Sequence, residues 1–224
     1  MLTLLALAAA LTPAAAAGPA DSADAIIKRR LAEGATAYSE ADIAALTRLA
    51  ADPDPEARWR AAYAGSRWPE PRLSAVFNAA QRDADSRVRL FAVRSLGRLA
   101  TAPDAARLAD SDVYVRAEAV AAFSAAKAFD RLPFKLFSDP SPHVRAAAAD
   151  AAGASGDAAR FVPALERLAA EPGTMAPGRA LLALAKLRGD AARSVLERGR
   201  EDKCWWLRAR AYEASGFLSD ADTV

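Results

Sequence analysis

In the segment DADSRVRLFAVRSLG, Asp83 and Arg89 stand six residues apart. A carboxylate and a guanidinium at that spacing can hold an anion, orient a substrate, or bind each other across a packing seam. Catalysis would require a further group. His143 is the sole histidine and Cys204 the sole cysteine, so Ser-His-Asp or Cys-His chemistry would have to run through His143, which has no second His or Cys near it in DPSPHVR. A zinc, copper or non-haem iron centre is short of ligands for the same reason. No catalytic residue, metal or cofactor is expected, and His143 reads as a surface residue near a helix start.

What decides the role of Arg89 is that it recurs. Arginines at 58, 89, 116, 145, 179 and 208 are spaced by 31, 27, 29, 34 and 29 residues. Six residues ahead of them stand Asp52, Asp83, Asp110, Asp139, Gly173 and Asp202. One residue ahead stand Ala57, Val88, Val115, Val144, Gly178 and Leu207, and three behind stand Ala61, Ala92, Ala119, Ala148, Leu182 and Ala211. Positions −1 and +3 are i and i+4, one face of a helix, and the alanine admits a close neighbour. Asp54, Asp85, Asp112 and Ser141 suit the N-cap, where a side-chain oxygen accepts from free first-turn N–H groups. Glycine or serine at +8 (Ser66, Gly97, Ser124, Gly153, Gly216) fits close packing or a left-handed helix end. The preceding stretches carry larger apolar residues, among them Leu46, Leu49, Val76, Phe77, Phe134, Leu136, Phe137, Leu165 and Leu168. Each unit is therefore expected to be two short antiparallel helices, neither able to bury its apolar stripe alone. The fifth unit, EPGTMAPGRALLALAKLRG, departs from several columns, as an insertion would cause.

This D-P-x-x-x-V-R-x-x-A-x-x-A-L-G pattern resembles HEAT repeats, particularly the short form of bacterial HEAT-like proteins, over Ser39 to Gly216. The resemblance implies an all-α fold, an α-solenoid of about six helical hairpins stacked as a right-handed superhelix. It also implies that the Asp and Arg columns form polar ladders between repeats. That role falls on Asp52, Asp83, Asp110, Asp139 and Asp202 with Arg58, Arg89, Arg116, Arg145 and Arg208. Gly173 leaves Arg179 without a carboxylate in this register.

Residues that vary between units carry what is particular to this chain. Arg60, Tyr63 and Arg67 share one side of the first unit's second helix, and Phe91, Arg94 and Arg98 follow in the second unit. Second helices of such arrays line a concave surface, and arginine with aromatics is the composition of protein–protein hot spots. The alternative is that Trp59 and Phe91 are core and the arginines a solvated face. Trp205 and Trp206, in EDKCWWLRARAYEASGF, are further partner-binding candidates, one buried on the neighbouring repeat and the other exposed. Positions equivalent to the N-terminal basic residues become Glu118, Ala121, Ala147 and Asp150 in units three and four. That break speaks against a phosphate-tracking groove, so no nucleic acid is expected. Nor does the balance of 30 basic and 28 acidic residues favour one.

The first 17 residues, apolar from Leu2 to Ala17, are shorter than the ~20 needed to span a bilayer. Ala15 and Ala17 before Gly18 suit signal-peptide cleavage, although no Lys or Arg precedes the apolar run. The alternative is a disordered Ala/Pro leader on a cytoplasmic protein. The expected organisation is a signal peptide at 1–17, an N-terminal capping helix within 18–38 and the repeat array at 39–224. The expected protein is a monomeric, exported, non-catalytic scaffold binding protein partners without a transmembrane span. A second reading makes the array the N-terminal part of a larger envelope enzyme, such as a cyclophilin-type peptidyl-prolyl isomerase. FLSDADTV at the end resembles a helix start at Ser219, with Asp222 three residues on.

Overall fold

Alanine-rich, strand-poor composition leaves helix packing as the way to bury apolar surface, and the chain uses it throughout. The computed structural model describes residues 22–34 and 36–219. The leader lies outside them, as does Asp222 of the C-terminal helix start. The described residues form eleven α-helices and five short 3₁₀ turns, with no strand. In order the helices are α1 (Ala23–Glu33), α2 (Glu40–Leu49), α3 (Pro55–Arg67), α4 (Ser74–Ala80), α5 (Ser86–Arg98), α6 (Val113–Ala125), α7 (Pro142–Ser155), α8 (Ala158–Ala169), α9 (Met175–Arg188), α10 (Arg193–Arg200) and α11 (Trp205–Ser215).

Helices α3, α5, α6, α7, α9 and α11 are the six second helices, each packed on the next. Their starts are set as the columns require: Asp54, Asp85, Asp112 and Ser141 accept from the N–H of Glu56, Arg87, Tyr114 and His143 at 2.8–3.2 Å. Beside them, α2, α4, α8 and α10 form a second layer. Units three and four correct the expectation of paired helices. Their first elements are only 3₁₀ turns, Ala105–Ala109 and Phe134–Ser138. Pro103 and Pro133 limit how early these elements can begin, because proline disfavours helix in the residue before it, and Asp110 and Asp139 end them. The helices ahead of these turns end abruptly: Ala100 and Lys127 take left-handed φ of 51° and 55°, and the N–H groups of Thr101 and Ala128 close back onto Leu96 and Phe123 carbonyls at 2.9 Å.

The fifth unit carries a second correction. Gly97 of α5 faces Ala122 of α6, whose Cα would lie 3.0 Å from an added Cβ, and Gly153 of α7 faces Ala183 of α9 at the same distance. Ala122 is six residues past its anchor, Arg116, so the anchor facing Gly153 is residue 177 (183 − 6), where Pro177 stands. The columns then close: Ala176 and Ala180 are wholly buried, like Val115 and Ala119. Spacings become 31, 27, 29, 32 and 31 (58, 89, 116, 145, 177, 208). Arg179 is not an anchor but lies two residues beyond one, on the outward side of α9. Gly97 and Gly153 of this column serve close approach; among the described residues the glycines with positive φ are Gly34, Gly156, Gly173 and Gly189.

The core runs as two clusters that meet at α5. One spans Ala23 to Leu96 and the other Val93 to Ala214. At the N-terminal end α1 packs on α2 and α3. It is capped by Ser22, which accepts from the N–H of Ala25 at 3.2 Å, and closed by Gly34 at φ 61°.

Candidate functional site

The charged columns are spent on joining repeats. Arg58 donates Nε and Nη2 to Asp83 of the next unit at 2.7 and 3.1 Å. Arg89 grips Asp110 in the same two-pronged way at 2.9 and 2.7 Å, and Arg116 grips Asp139 at 2.9 Å twice. The third nitrogen, Nη1, of each arginine donates to two carbonyls of its own loop, such as Asp83 and Ala84 for Arg89 at 3.0 and 2.9 Å. Each aspartate in turn accepts from the N–H two residues on, at Asp85, Asp112 and Ser141. One rung thus fixes a loop, a helix start and the next repeat together. Arg145 pairs with Glu171 at 3.1 Å, because Glu171 is the residue six ahead of Pro177. The ends of the ladder depart from expectation. Asp52 and Asp202 serve only their own loops, accepting from Asp54 and Cys204 at 2.8 and 2.7 Å, and among the described residues no guanidinium reaches either carboxylate. Among the described residues Arg208 binds only its own loop carbonyls.

Asp110 is the most enclosed of these carboxylates, 6% exposed beside Arg89 at 9%, and Arg107 reaches it as well at 2.6 Å. Burial alone would raise the Asp110 carboxyl. The Arg89 hydrogen bonds, the Asp112 N–H and the two guanidinium charges outweigh it and hold the group below the usual carboxylate range. Asp83 and Asp139 are lowered against burial in the same way. A carboxyl depressed in the folded state contributes stability that is complete above its unfolded pKa and lost as pH falls through the folded value. Thermal melts should therefore be nearly flat from neutrality down to about pH 5 and fall steeply below about pH 4. A variant with Asp110→Asn should melt lower at neutral pH and lose less on acidification. A slope unchanged by that substitution would remove the rung as the source.

The variable residues of α3 and α5 come together on one face. Tyr63 and Phe91 meet edge to face at 5.0 Å, and Trp59 lies 6.1 Å from Phe91 and 6.3 Å from Tyr63. Arg60 and Arg87 lie over Trp59, Arg94 over Phe91 and Arg67 over Tyr63. These rings are half-buried and the guanidinium groups of Arg60 and Arg67 exposed. The arginines are not, however, the free basic surface their composition implies. Arg94 donates to Glu118 of the next repeat at 2.7 Å, which raises its affinity for the proton despite burial. Arg98 donates to the Ser66 and Arg67 carbonyls at the end of α3, the latter at 2.7 Å. Arg60 approaches Glu56 and Asp24 at 3.5 and 3.7 Å. Arg67, bound to the Tyr63 hydroxyl at 3.3 Å, faces no carboxylate among the described residues. A cleft of about 490 Å³ continues the face past Arg94 and Glu118 to Ala121 and Ala125.

Trp205 and Trp206 are not joined to this patch; they sit at the other end of the array and part company there. Trp205 is exposed, at 68%. Trp206 packs onto Gly178, whose added Cβ would lie 2.9 Å from its ring, and carries Arg210 at 4.8 Å. It lines a cleft of about 610 Å³ with His143, Asp150, Met175 and Arg179. There Arg179 reaches back to Asp150 at 3.7 Å. Surrounding protein raises the Asp150 carboxyl, desolvation exceeding the pull of Arg179 and Lys186.

Sequence reading missed a buried cation at the N-terminal end. Arg30, 3% exposed, lies over the rings of Tyr38 and Trp68 at 4.8 and 5.4 Å and donates to Asp42 at 3.2 Å. Asp42 also accepts from Arg29 and completes a capping box with Ser39. The signal was present in SEAD, a box of Ser39 and Asp42, and in an arginine on the apolar side of α1. Among the described residues no cluster of three His, Cys, Asp or Glu could hold a metal ion, and no helix is long and apolar enough to cross a membrane.

A family model for HEAT repeats matches residues 43–124 and again 105–176. No curated protein matches the sequence. Among solved structures, one engineered protein aligns over 79% of this chain and 96% of its own, at 20% identity and a TM-score of 0.52. A second aligns over 90% and 61%, at 18% identity and 0.57. Human deoxyhypusine hydroxylase aligns over 80% and 74% at 16% identity, and its TM-score of 0.43 is too low to bear on function. At such identities the likeness to the engineered proteins concerns the fold alone. The matched span, 134 of 224 residues (43 to 176), and the stacked second helices joined by Asp–Arg rungs place this chain in the HEAT-repeat family, as an α-solenoid.

Proposed function

We propose that the chain is a non-catalytic scaffold that binds protein partners on the outward row of its second helices, beginning at the Trp59–Tyr63–Phe91 cluster. Stacked repeats build extended concave surface rather than a pocket. The recurrent charged residues support this reading, because their hydrogen bonds go to neighbouring repeats and loops. The observation that carries it is the ring cluster spanning two repeats with Arg67 beside it. Aromatic rings in a half-buried setting, edged by an exposed guanidinium that faces no carboxylate among the described residues, are what hot spots are made of. The partner surface it fits is apolar at its centre with a carboxylate at the edge. We further propose that the protein acts outside the cytoplasm, on the strength of the apolar first 17 residues and the small residues before Gly18.

Residues 18–224 as bait in envelope extract should capture a partner that Tyr63→Ala with Arg67→Glu no longer holds. Loss of one hot-spot side chain costs about 2 kcal/mol or more, roughly a 30-fold drop in affinity. Arg94→Glu is not a suitable probe, since it would set two carboxylates against each other across α5 and α6. Capture unchanged by the double variant, with its melting temperature also unchanged, would exclude this face.

A further inference from the structure

Helix α11 repeats the columns of the helices before it, but among the described residues it packs only on α9 and α10, and no helix stands on its outer side. Four residues past the anchor, the internal repeats place Ala62, Val93, Val120, Ala149 and Leu181, none more than 2% exposed. In α11 that position is Tyr212, 63% exposed. Trp205 lies seven residues before it, two turns along the same side of the helix. Between them is Arg208. Its Nη1 donates to the Asp202 and Lys203 carbonyls at 2.8 and 2.9 Å, as Nη1 of every rung arginine does in its own loop. Its Nε and Nη2, the edge by which Arg58, Arg89 and Arg116 grip the next aspartate, donate to nothing among the described residues. Terminal repeats of soluble arrays ordinarily turn a polar face outward. The last described helix instead presents two large rings, Trp205 open and Tyr212 with Arg200 over it at 5.3 Å, around a guanidinium edge unused among the described residues.

We propose that this end face is a docking surface for a further helix pair, one carrying a carboxylate two residues ahead of its N-cap. The occupant is specified by the chain itself, because Asp83, Asp110 and Asp139 each stand at that offset and each fills the edge that Arg208 leaves open. Planar guanidinium and carboxylate match in a two-pronged, charge-assisted bond, which fixes the register of the incoming pair. Trp205 and Tyr212 supply the apolar area that the small residues of the internal seams supply by close approach. The surface is distinct from the Trp59–Tyr63–Phe91 face and can be occupied independently of it.

The test is to append residues 69–101, which contain α4, Asp83 and α5, after Val224 of the full chain. The appended pair should raise the melting temperature by about 5 °C or more and shift Trp205 emission to the blue, read as the difference from a Trp205→Phe version. Asparagine in place of the appended copy's Asp83 should abolish most of both changes, since it keeps the loop acceptor but not the charge. An unaltered melting temperature and emission would overturn the proposal, as would equal gains from the asparagine copy. Two results on the unextended chain would also overturn it by naming another occupant. One is a red shift of Trp205 on deleting residues 220–224, which carry Asp220 and Asp222. The other is protection of Trp205 that grows with protein concentration, which would indicate a second copy.

Discussion

Replacing Asp110 by alanine is expected to cost about 3 kcal/mol, the lower end for breaking an enclosed ion pair by removing one partner. For a chain of this length that is a fall of about 10 °C in melting temperature, measurable by circular dichroism. The loss exceeds that of a surface salt bridge, which is worth at most about 1 kcal/mol, for a geometric reason. Asp110 accepts from Arg89 twice, from Arg107 and from the Asp112 N–H. Its removal strands two guanidinium groups and a helix start together. Asp52→Ala should cost far less, because among the described residues its carboxylate serves only the Asp54 N–H. Equal losses at the two positions would mean that the carboxylates act only as loop formers and that the bond between repeats contributes little.

The other large effect is expected from Gly97→Leu. A Cβ at 97 would stand 2.9 Å from the Ala122 Cβ and 3.0 Å from its Cα, so the obstacle is backbone and cannot swing aside. Gly97→Ala sets two comparable terms against each other, about 1 kcal/mol gained in helix propensity and about 1–3 kcal/mol lost to overpacking. Leucine has nearly the same propensity as alanine but adds three more carbons to a seam with no room. A loss of about 3 kcal/mol or more is expected, with α5 and α6 forced apart. A Gly97→Leu protein melting within 2 °C of the parent would show that the seam is loose and that the anchor columns do not set the spacing of repeats.

Much of this was legible because each column performs a local task. An N-cap needs an oxygen beside free N–H groups, an i, i+4 apolar pair needs one face, and both recur at fixed offsets around Arg58, Arg89, Arg116 and Arg145. Where local and tertiary signals diverged, the reading slipped. In the fifth unit the arginine that looks like an anchor, Arg179, points outward, while the true position holds Pro177 and the ladder continues through Glu171. Only the burial of Ala176 and Ala180 and the seat of Gly153 on Ala183 reveal that register. Two first helices shrink to 3₁₀ turns because Pro103 and Pro133 bar helix in the residue before each and Asp110 and Asp139 close the segments after it, while apolar residues such as Phe134 and Leu136 keep the look of a helix. The arginines of α5 read as a basic surface because Glu118 and the Ser66 and Arg67 carbonyls belong to other repeats. Pairing across the stack has no trace in local spacing.

The most direct measurement of the central claim, that the Asp and Arg columns hold repeats together while other residues bind, is a double-mutant cycle on Arg89 and Asp110. It uses Arg89→Met, Asp110→Leu and the combination, with melting temperature and partner capture followed in each, capture being assayed well below the melting point. Each single change should lower the melting temperature by about 10 °C. The combination should recover most of that loss, since apolar residues of similar length replace the pair without leaving a charge unmet. Capture should match the parent in all three. Additive losses in the double variant, or capture lost from a protein that melts like the parent, would contradict the structural role of this column.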